Sequence, residues 1–203
     1  MRARSTLLAL LVMLLFISGC TTAPPKNLDN VCEIFREKDD WYEDAADARD
    51  NWGSSIGTMM AMMHQESRFR AKAQPPREWL LGIIPWFRSS SAYGYSQAKD
   101  GTWEEYQRGS GNYGADRDDF DDAIDFIGWY NSVSMQRCNI KRDDTYHLYL
   151  AYHEGQGGFN RRTFKNKGWL KVVAKKVSAR ASRYNSQLAS CEESLKEPWW
   201  HIF

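Results

Sequence analysis

The sequence predicts a mainly α-helical fold: one helical domain interrupted by a short apolar flap or hairpin. Three observations carry that expectation. Apolar residues recur at spacings of three and four along most of the chain, most clearly at Leu170, Val173, Ala174, Val177, Ala181, Tyr184, Leu188 and Cys191. Strict alternation of apolar and polar residues, the mark of a half-buried strand, is nearly absent. At 203 residues without an internal repeat, the chain has the length of a single core rather than of several.

Each element follows from local signals. Asp29 or Asn30 can cap a first helix with Val31, Ile34 and Phe35, then Trp41, Tyr42 and Ala45, on its apolar side. A second helix starts near Ser55 and carries Ile56, Met59, Met60 and Met63. A short third helix is expected around Thr102 to Arg108. A fourth starts near Asp118 with Phe120, Ile124, Ile127 and Asn131 on one side. The fifth begins at Asp143 or Asp144 and stops at Gly155, and the last runs from about Trp169. Between the second and third helices, Trp79 to Phe87 is an apolar run with Gly82 and Pro85 inside it. Those breakers suit a hairpin or an irregular flap better than a helix.

The N-terminus reads as a targeting segment. Arg2 and Arg4 precede an apolar run from Leu7 to Phe16, too short to span a bilayer comfortably. The run closes on Ile17-Ser18-Gly19-Cys20, which resembles a bacterial lipobox, and that resemblance implies a lipid-modified Cys20 after removal of residues 1–19. Thr22 in place of an aspartate implies sorting to the outer membrane, with the protein on its periplasmic face. Residues 20–28 then form a lipidated linker, and 29–203 the helical domain. Cleavage would remove two arginines and no acid from a formal net charge of +1. The remainder is close to neutral, so nothing in the charge argues for nucleic acid, and attachment to membrane would come from the acyl chains. A monomer is expected. Cys32, Cys138 and Cys191 remain for an oxidising compartment, an odd number that allows one internal pair at most. Cys32–Cys191 is the preferred bridge because it would tie the first helix to the last. Cys138 would then be a free buried thiol, though pairs involving Cys138 stay open.

The chemistry concentrates in His64-Gln65-Glu66-Ser67-Arg68-Phe69. On a helical wheel Glu66 lies about 70°, and Ser67 about 30°, from the centre of the Ile56–Met63 apolar face. Glu66 therefore sits at a rim, half out of water, where partial burial raises a carboxyl pKa toward neutrality. Taken alone, an acid at a helix end is most often a solvated surface group. No His-Glu-x-x-His occurs and the chain has four histidines, so neither metal nor any other cofactor is expected.

Two further segments change the weight of Glu66. They are Ala92-Tyr93-Gly94-Tyr95-Ser96-Gln97 and Ala151-Tyr152-His153-Glu154-Gly155. Glu-Ser, then Gly-x-x-Gln, then Ala-Tyr-x-x-Gly, in that order, resembles the lytic transglycosylase (SLT) domain of the goose-lysozyme-like superfamily over roughly residues 50–190. The resemblance implies a lysozyme-like fold and a murein lytic transglycosylase acting on peptidoglycan glycan strands. It assigns Glu66 as the single general acid/base and Ser67 as its hydrogen-bonded neighbour. Gly94, Tyr95 and Gln97 would line the sugar cleft, with Tyr152 supporting the glutamate and His153 orienting substrate. Cleavage between MurNAc and GlcNAc would leave a 1,6-anhydro end, the substrate's own acetamido and C6 hydroxyl groups replacing a second carboxylate.

This sequence departs from the family pattern in three places. His153 stands where the family usually has Asn; Tyr95 and Ser96 replace a bulky aliphatic residue and Met; and Glu66 to Gln97 spans 31 positions, about twice the expected spacing. The added length, Pro75 to Ser91, contains the apolar flap, read as packing on the core, with a lid or contact surface as the alternative. The aromatic tail Pro198 to Phe203 poses the same choice. Lys171, Lys175, Lys176, Arg180 and Arg183 read as the solvated side of the last helix, and Glu154 as a surface acid. Two other functions fit the same fold: an inert peptidoglycan-binding lipoprotein, favoured by His153, and a lysozyme-type muramidase, which would need a second carboxylate.

Overall fold

The computed structural model describes residues 23–80, 84–88 and 90–196. Cys20 with its lipobox and the tail from Pro198 to Phe203 lie outside the described residues. Seven α-helices are present among them, numbered here α1 to α7, with one two-stranded hairpin.

Helix α1, Val31–Glu37, is shorter than its pattern suggests. Asn30 caps it, its side-chain oxygen accepting hydrogen bonds from Cys32 N at 3.0 Å and Glu33 N at 3.3 Å. The chain leaves helical geometry at Lys38, so the single first helix expected from sequence is two, and α2 restarts at Trp41–Trp52. The apolar pattern crosses the break because both pieces bury residues in one core, among them Phe35 and Tyr42, whose rings meet edge to face at 5.6 Å.

Helix α3, Ile56–Ser67, starts at the Ser55 cap. It is not a one-sided amphipathic helix: Met59, Met60, Met62 and Met63 are all fully buried. A helix apolar all round belongs in the middle of a core, and α3 lies between α7 and α5. Strands β1, Arg77–Leu80, and β2, Ile84–Arg88, pair antiparallel, which is the hairpin reading of the apolar flap. Helix α4, Asp100–Ser110, and helix α5, Phe120–Cys138, follow, the latter capped by Asp119.

Helix α6, Thr145–Asn160, is capped by Asp144. The expected stop at Gly155 is a kink instead: Gly155 adopts φ 72°, ψ 156°, a region open in practice only to glycine, and the chain then makes another helical turn or so. A 3₁₀ turn, Thr163–Asn166, leads into α7, Gly168–Lys196. The α7 stripe Leu170, Ala174, Val177, Ala181, Tyr184, Leu188 and Cys191 is buried as its periodicity requires.

The α7 face also anchors the start of the domain. Cys32 and Cys191 form the disulfide, with Cα atoms 6.1 Å apart across a sequence separation of 159. Closing a loop of that size removes unfolded-chain entropy worth about 5 kcal/mol. Cys138 is a free thiol, half-buried rather than buried, with its Sγ 3.7 Å from the Gln156 carbonyl. Three of the basic residues expected to be merely solvated have partners: Lys171 Nζ donates to Lys165 O at 3.0 Å, and the two arginines reach the start of the domain. Arg180 Nη1 donates to Asp29 Oδ1 at 2.8 Å and Leu28 O at 3.1 Å, and Arg183 Nη2 to Asp29 Oδ1 at 3.1 Å.

Candidate active site

A cleft of about 430 Å³ opens where the end of α3 and the middle of α6 meet α5 and the loop before α4. Glu66, Gln97, Phe126, Tyr130, Tyr152, His153 and Glu154 line it. A larger hollow of about 540 Å³, between Pro24 and residues 70–76, offers no carboxyl group.

Glu66 occupies the last turn of α3, just where the fully buried methionines give way to the cleft. It is half-buried: one side reaches the open space, while the carboxyl is enclosed by protein. Two forces act on its proton. Burial penalises the carboxylate, and a hydrogen bond donated by Tyr149 OH to Oε1 at 3.0 Å partly offsets it. The balance leaves the carboxyl pushed up to about 7. An acid so poised can both hold and release a proton near neutral pH.

The supporting hydroxyl is therefore that of Tyr149, one helical turn before the tyrosine to which the sequence resemblance assigns that role. Tyr152 donates instead to the Ser96 carbonyl at 2.6 Å, and its ring packs on Tyr130 at 5.1 Å. It thereby joins α6 to the loop that carries Gln97. Tyr149 and Tyr152 are three apart on one helix, so they share a face, and that spacing was the available signal for Tyr149. Ser67 also differs from expectation. It is buried, and its hydroxyl donates back to Met63 O at 3.2 Å, satisfying the group within its own helix instead of bonding to Glu66.

The loop from Ser91 to Ala98 is held by backbone geometry. Gly94 has φ 78°, and a Cβ there would lie 1.9 Å from Arg117 O, so only glycine fits. Ala73 O receives both Gly94 N at 3.0 Å and Gln97 Nε2 at 2.9 Å, while Gln97 Nε2 also reaches Gly94 O at 2.8 Å. Gln97, itself at φ 54°, is thus fixed at the cleft wall by its amide nitrogen. Gly94 and Tyr95 do not line the cleft. Tyr95 is buried on the far side, its ring edge-on to Trp41 at 5.7 Å and Phe120 at 5.9 Å, because an aromatic in place of the aliphatic residue seeks the core.

Also lining the cleft, His153 points Nδ1 at Glu154 Oε1, 3.0 Å away. Glu154 is not a surface acid: its side chain is 3% exposed. Burial alone would raise its pKa, but hydrogen bonds from Lys167 Nζ at 2.7 Å, from the Thr163 hydroxyl and from His153 outweigh that and hold it at about 2. Glu154 is ionised, fully engaged and structural in its contacts. Among the described residues no group of three or more His, Cys, Asp or Glu side chains could hold a metal ion.

A mainly helical domain with an enclosed, proton-holding carboxyl on the wall of an open cleft has the make-up of a lysozyme-like domain. The family model described as a transglycosylase SLT domain matches residues 8–191, and the chain belongs to that family. Membership carries a transglycosylase-type, peptidoglycan-lytic role. No curated protein matches the chain.

Proposed function

We propose that this protein is a murein lytic transglycosylase in which Glu66 is the single general acid/base. The observation that carries the reading is the enclosed Glu66 carboxyl, pushed up to about 7, with the neutral Tyr149 hydroxyl alone bonded to it among the described residues and the cleft on its open side. Glu66 protonates the glycosidic oxygen as the MurNAc–GlcNAc bond breaks. The MurNAc acetamido oxygen stabilises the electron-poor anomeric carbon. The C6 hydroxyl of the same MurNAc then attacks that carbon, returning its proton to Glu66 and closing the 1,6-anhydro ring. Gln97 and His153, which both line the cleft, orient the strand in this proposal. Lipidation at Cys20, location on the periplasmic side of the outer membrane and action as a monomer complete the proposal.

The muramidase alternative requires a second carboxylate free to activate water. Glu154 lines the same cleft, but Lys167, Thr163 and His153 occupy it. Incubation of the protein and its Glu66→Gln variant with purified sacculi, followed by mass analysis of released sugars, tests the proposal. Anhydro-ended muropeptides from the wild type alone are expected. Reducing ends would establish hydrolysis instead, and absence of any release from folded protein would leave a binding protein.

A further inference from the structure

The mechanism uses Glu66, Gln97 and the cleft wall, but leaves an exposed aromatic at the cleft rim without a role. Trp169, in the first turn of α7, is 58% exposed. Folding usually hides most of an indole, so one left open beside a cleft is informative. Among the described residues its ring meets that of His153, at 5.1 Å between centroids and 78° between planes. His153 lines the Glu66 cleft, so the indole stands next to a residue of the cleft wall.

This arrangement is built rather than accidental. His153 is fixed through Nδ1 to Glu154, whose buried carboxylate is itself fixed by Lys167 and Thr163. Lys167 is two residues before Trp169 in the chain, so one carboxylate clamps α6, just before its kink, to the start of α7 and sets the histidine and the indole together. Val172, 53% exposed and one helical turn beyond Trp169, continues the apolar surface away from the cleft. A flat apolar ring, edged by an imidazole nitrogen that can hydrogen-bond, matches the two sides of an N-acetylated hexosamine. Its C–H face stacks on an aromatic plane, and its amide and hydroxyl groups bond at the edge.

We propose that Trp169 and His153 form a saccharide subsite at the cleft rim, which binds the apolar face of an N-acetylated amino sugar in a glycan strand. The inference rests on the glycan-cleaving reading above, and names where a strand is held beyond the reacting bond.

The test uses the full-length protein carrying Glu66→Gln, titrated calorimetrically with chitotriose and chitohexaose, beside the same protein with Trp169→Ala or Trp169→Phe added. Chitohexaose is expected to bind more tightly than chitotriose. Trp169→Ala should weaken chitohexaose binding by about tenfold, the loss of one aromatic contact surface, and remove most of that length dependence. Trp169→Phe should restore part of it. In the otherwise native enzyme, Trp169→Ala should raise KM for sacculi with kcat little changed. Unaltered chitohexaose affinity and KM in Trp169→Ala, with the wild type active, would overturn the subsite and leave the function standing. A Trp169→Ala protein that loses only its binding to phospholipid vesicles would also overturn it, since the indole would then face membrane. Wild-type protein that neither cleaves sacculi nor binds chitohexaose would remove the function and the subsite with it.

Discussion

Replacing Glu66 by Gln should stabilise the protein above neutral pH while abolishing turnover. The folded carboxyl keeps its proton up to about 7, whereas in the unfolded chain it releases it near 4.5. Between those values the folded state binds the extra proton, so stability falls as pH rises through the window and the loss is complete above about 7. At roughly 1.4 kcal/mol per pH unit, the displacement corresponds to about 3 kcal/mol. Because one side of Glu66 faces the open cleft, solvent screening reduces this to about 2 kcal/mol. Gln has the same shape, can accept the Tyr149 hydrogen bond and carries no charge to bury. Its gain at pH 8 should be about 2 kcal/mol, or about 4–8 °C in Tm for a chain of this size, and near zero at pH 4. Asp44, also pushed up to about 7, by burial and by Asp121, is present in both proteins and cancels in the comparison. Urea unfolding of the two proteins at pH 4 and pH 8 measures the difference directly. An equal gap at both pH values, or a Gln variant less stable at pH 8, would refute the account of Glu66 as an enclosed acid.

Tyr149→Phe removes the one hydrogen bond that favours the Glu66 carboxylate, so the alkaline limb of kcat/KM should move upward from about 7, and a fall in rate with an unmoved limb would assign Tyr149 a merely structural role. Gly94→Ala forces a side chain into φ 78° and against the Arg117 carbonyl; it should cost at least about 2 kcal/mol in urea unfolding and lower kcat by displacing Gln97. Glu154→Gln breaks the ion pair with Lys167 and should destabilise the protein by about 1–2 kcal/mol at pH 7. The folded Glu154 carboxyl is held at about 2, below its ordinary 4.5, so its contribution is full above 4.5 and fades as pH falls toward 2. Unfolding at pH 7 and pH 3 should show the gap narrowing.

Much of the fold was legible because it is written in local periodicity. Asn30, Ser55, Asp119 and Asp144 each cap a helix, and the α7 stripe faces the core as its spacing demands. The misreadings have one physical origin: a pattern records which side is buried, not by what. Val31 to Ala45 reads as one helix because α1 and α2 serve one core across the turn at Lys38. Glu154 reads as a surface acid because its three partners come from His153, Thr163 and Lys167, and only the kink at Gly155 folds the latter two back onto it. At the site, the order of the motifs brought Glu66, Gln97, Tyr152 and His153 to one cleft. It could not say which tyrosine hydroxyl reaches the acid, since Tyr149 and Tyr152 lie on the same face of α6 and their distances to Glu66 depend on how α6 packs.

The two glutamates of the cleft show how environment divides labour between like groups. Glu66 is deeply enclosed with the neutral Tyr149 hydroxyl as its donor, and its carboxyl rises to about 7; Glu154 is shielded by its partners but far less deeply buried, meets an ammonium, a hydroxyl and an imidazole, and falls to about 2. Only the first can give up and retake a proton near neutral pH, and only the second can hold a permanent charge that locks two helices. Exchanging the roles would require moving these partners from one carboxyl to the other, not altering either carboxylate. This separation leaves one acid of the cleft poised near neutral pH, which is what the proposed mechanism, with its attacking group drawn from the substrate itself, requires.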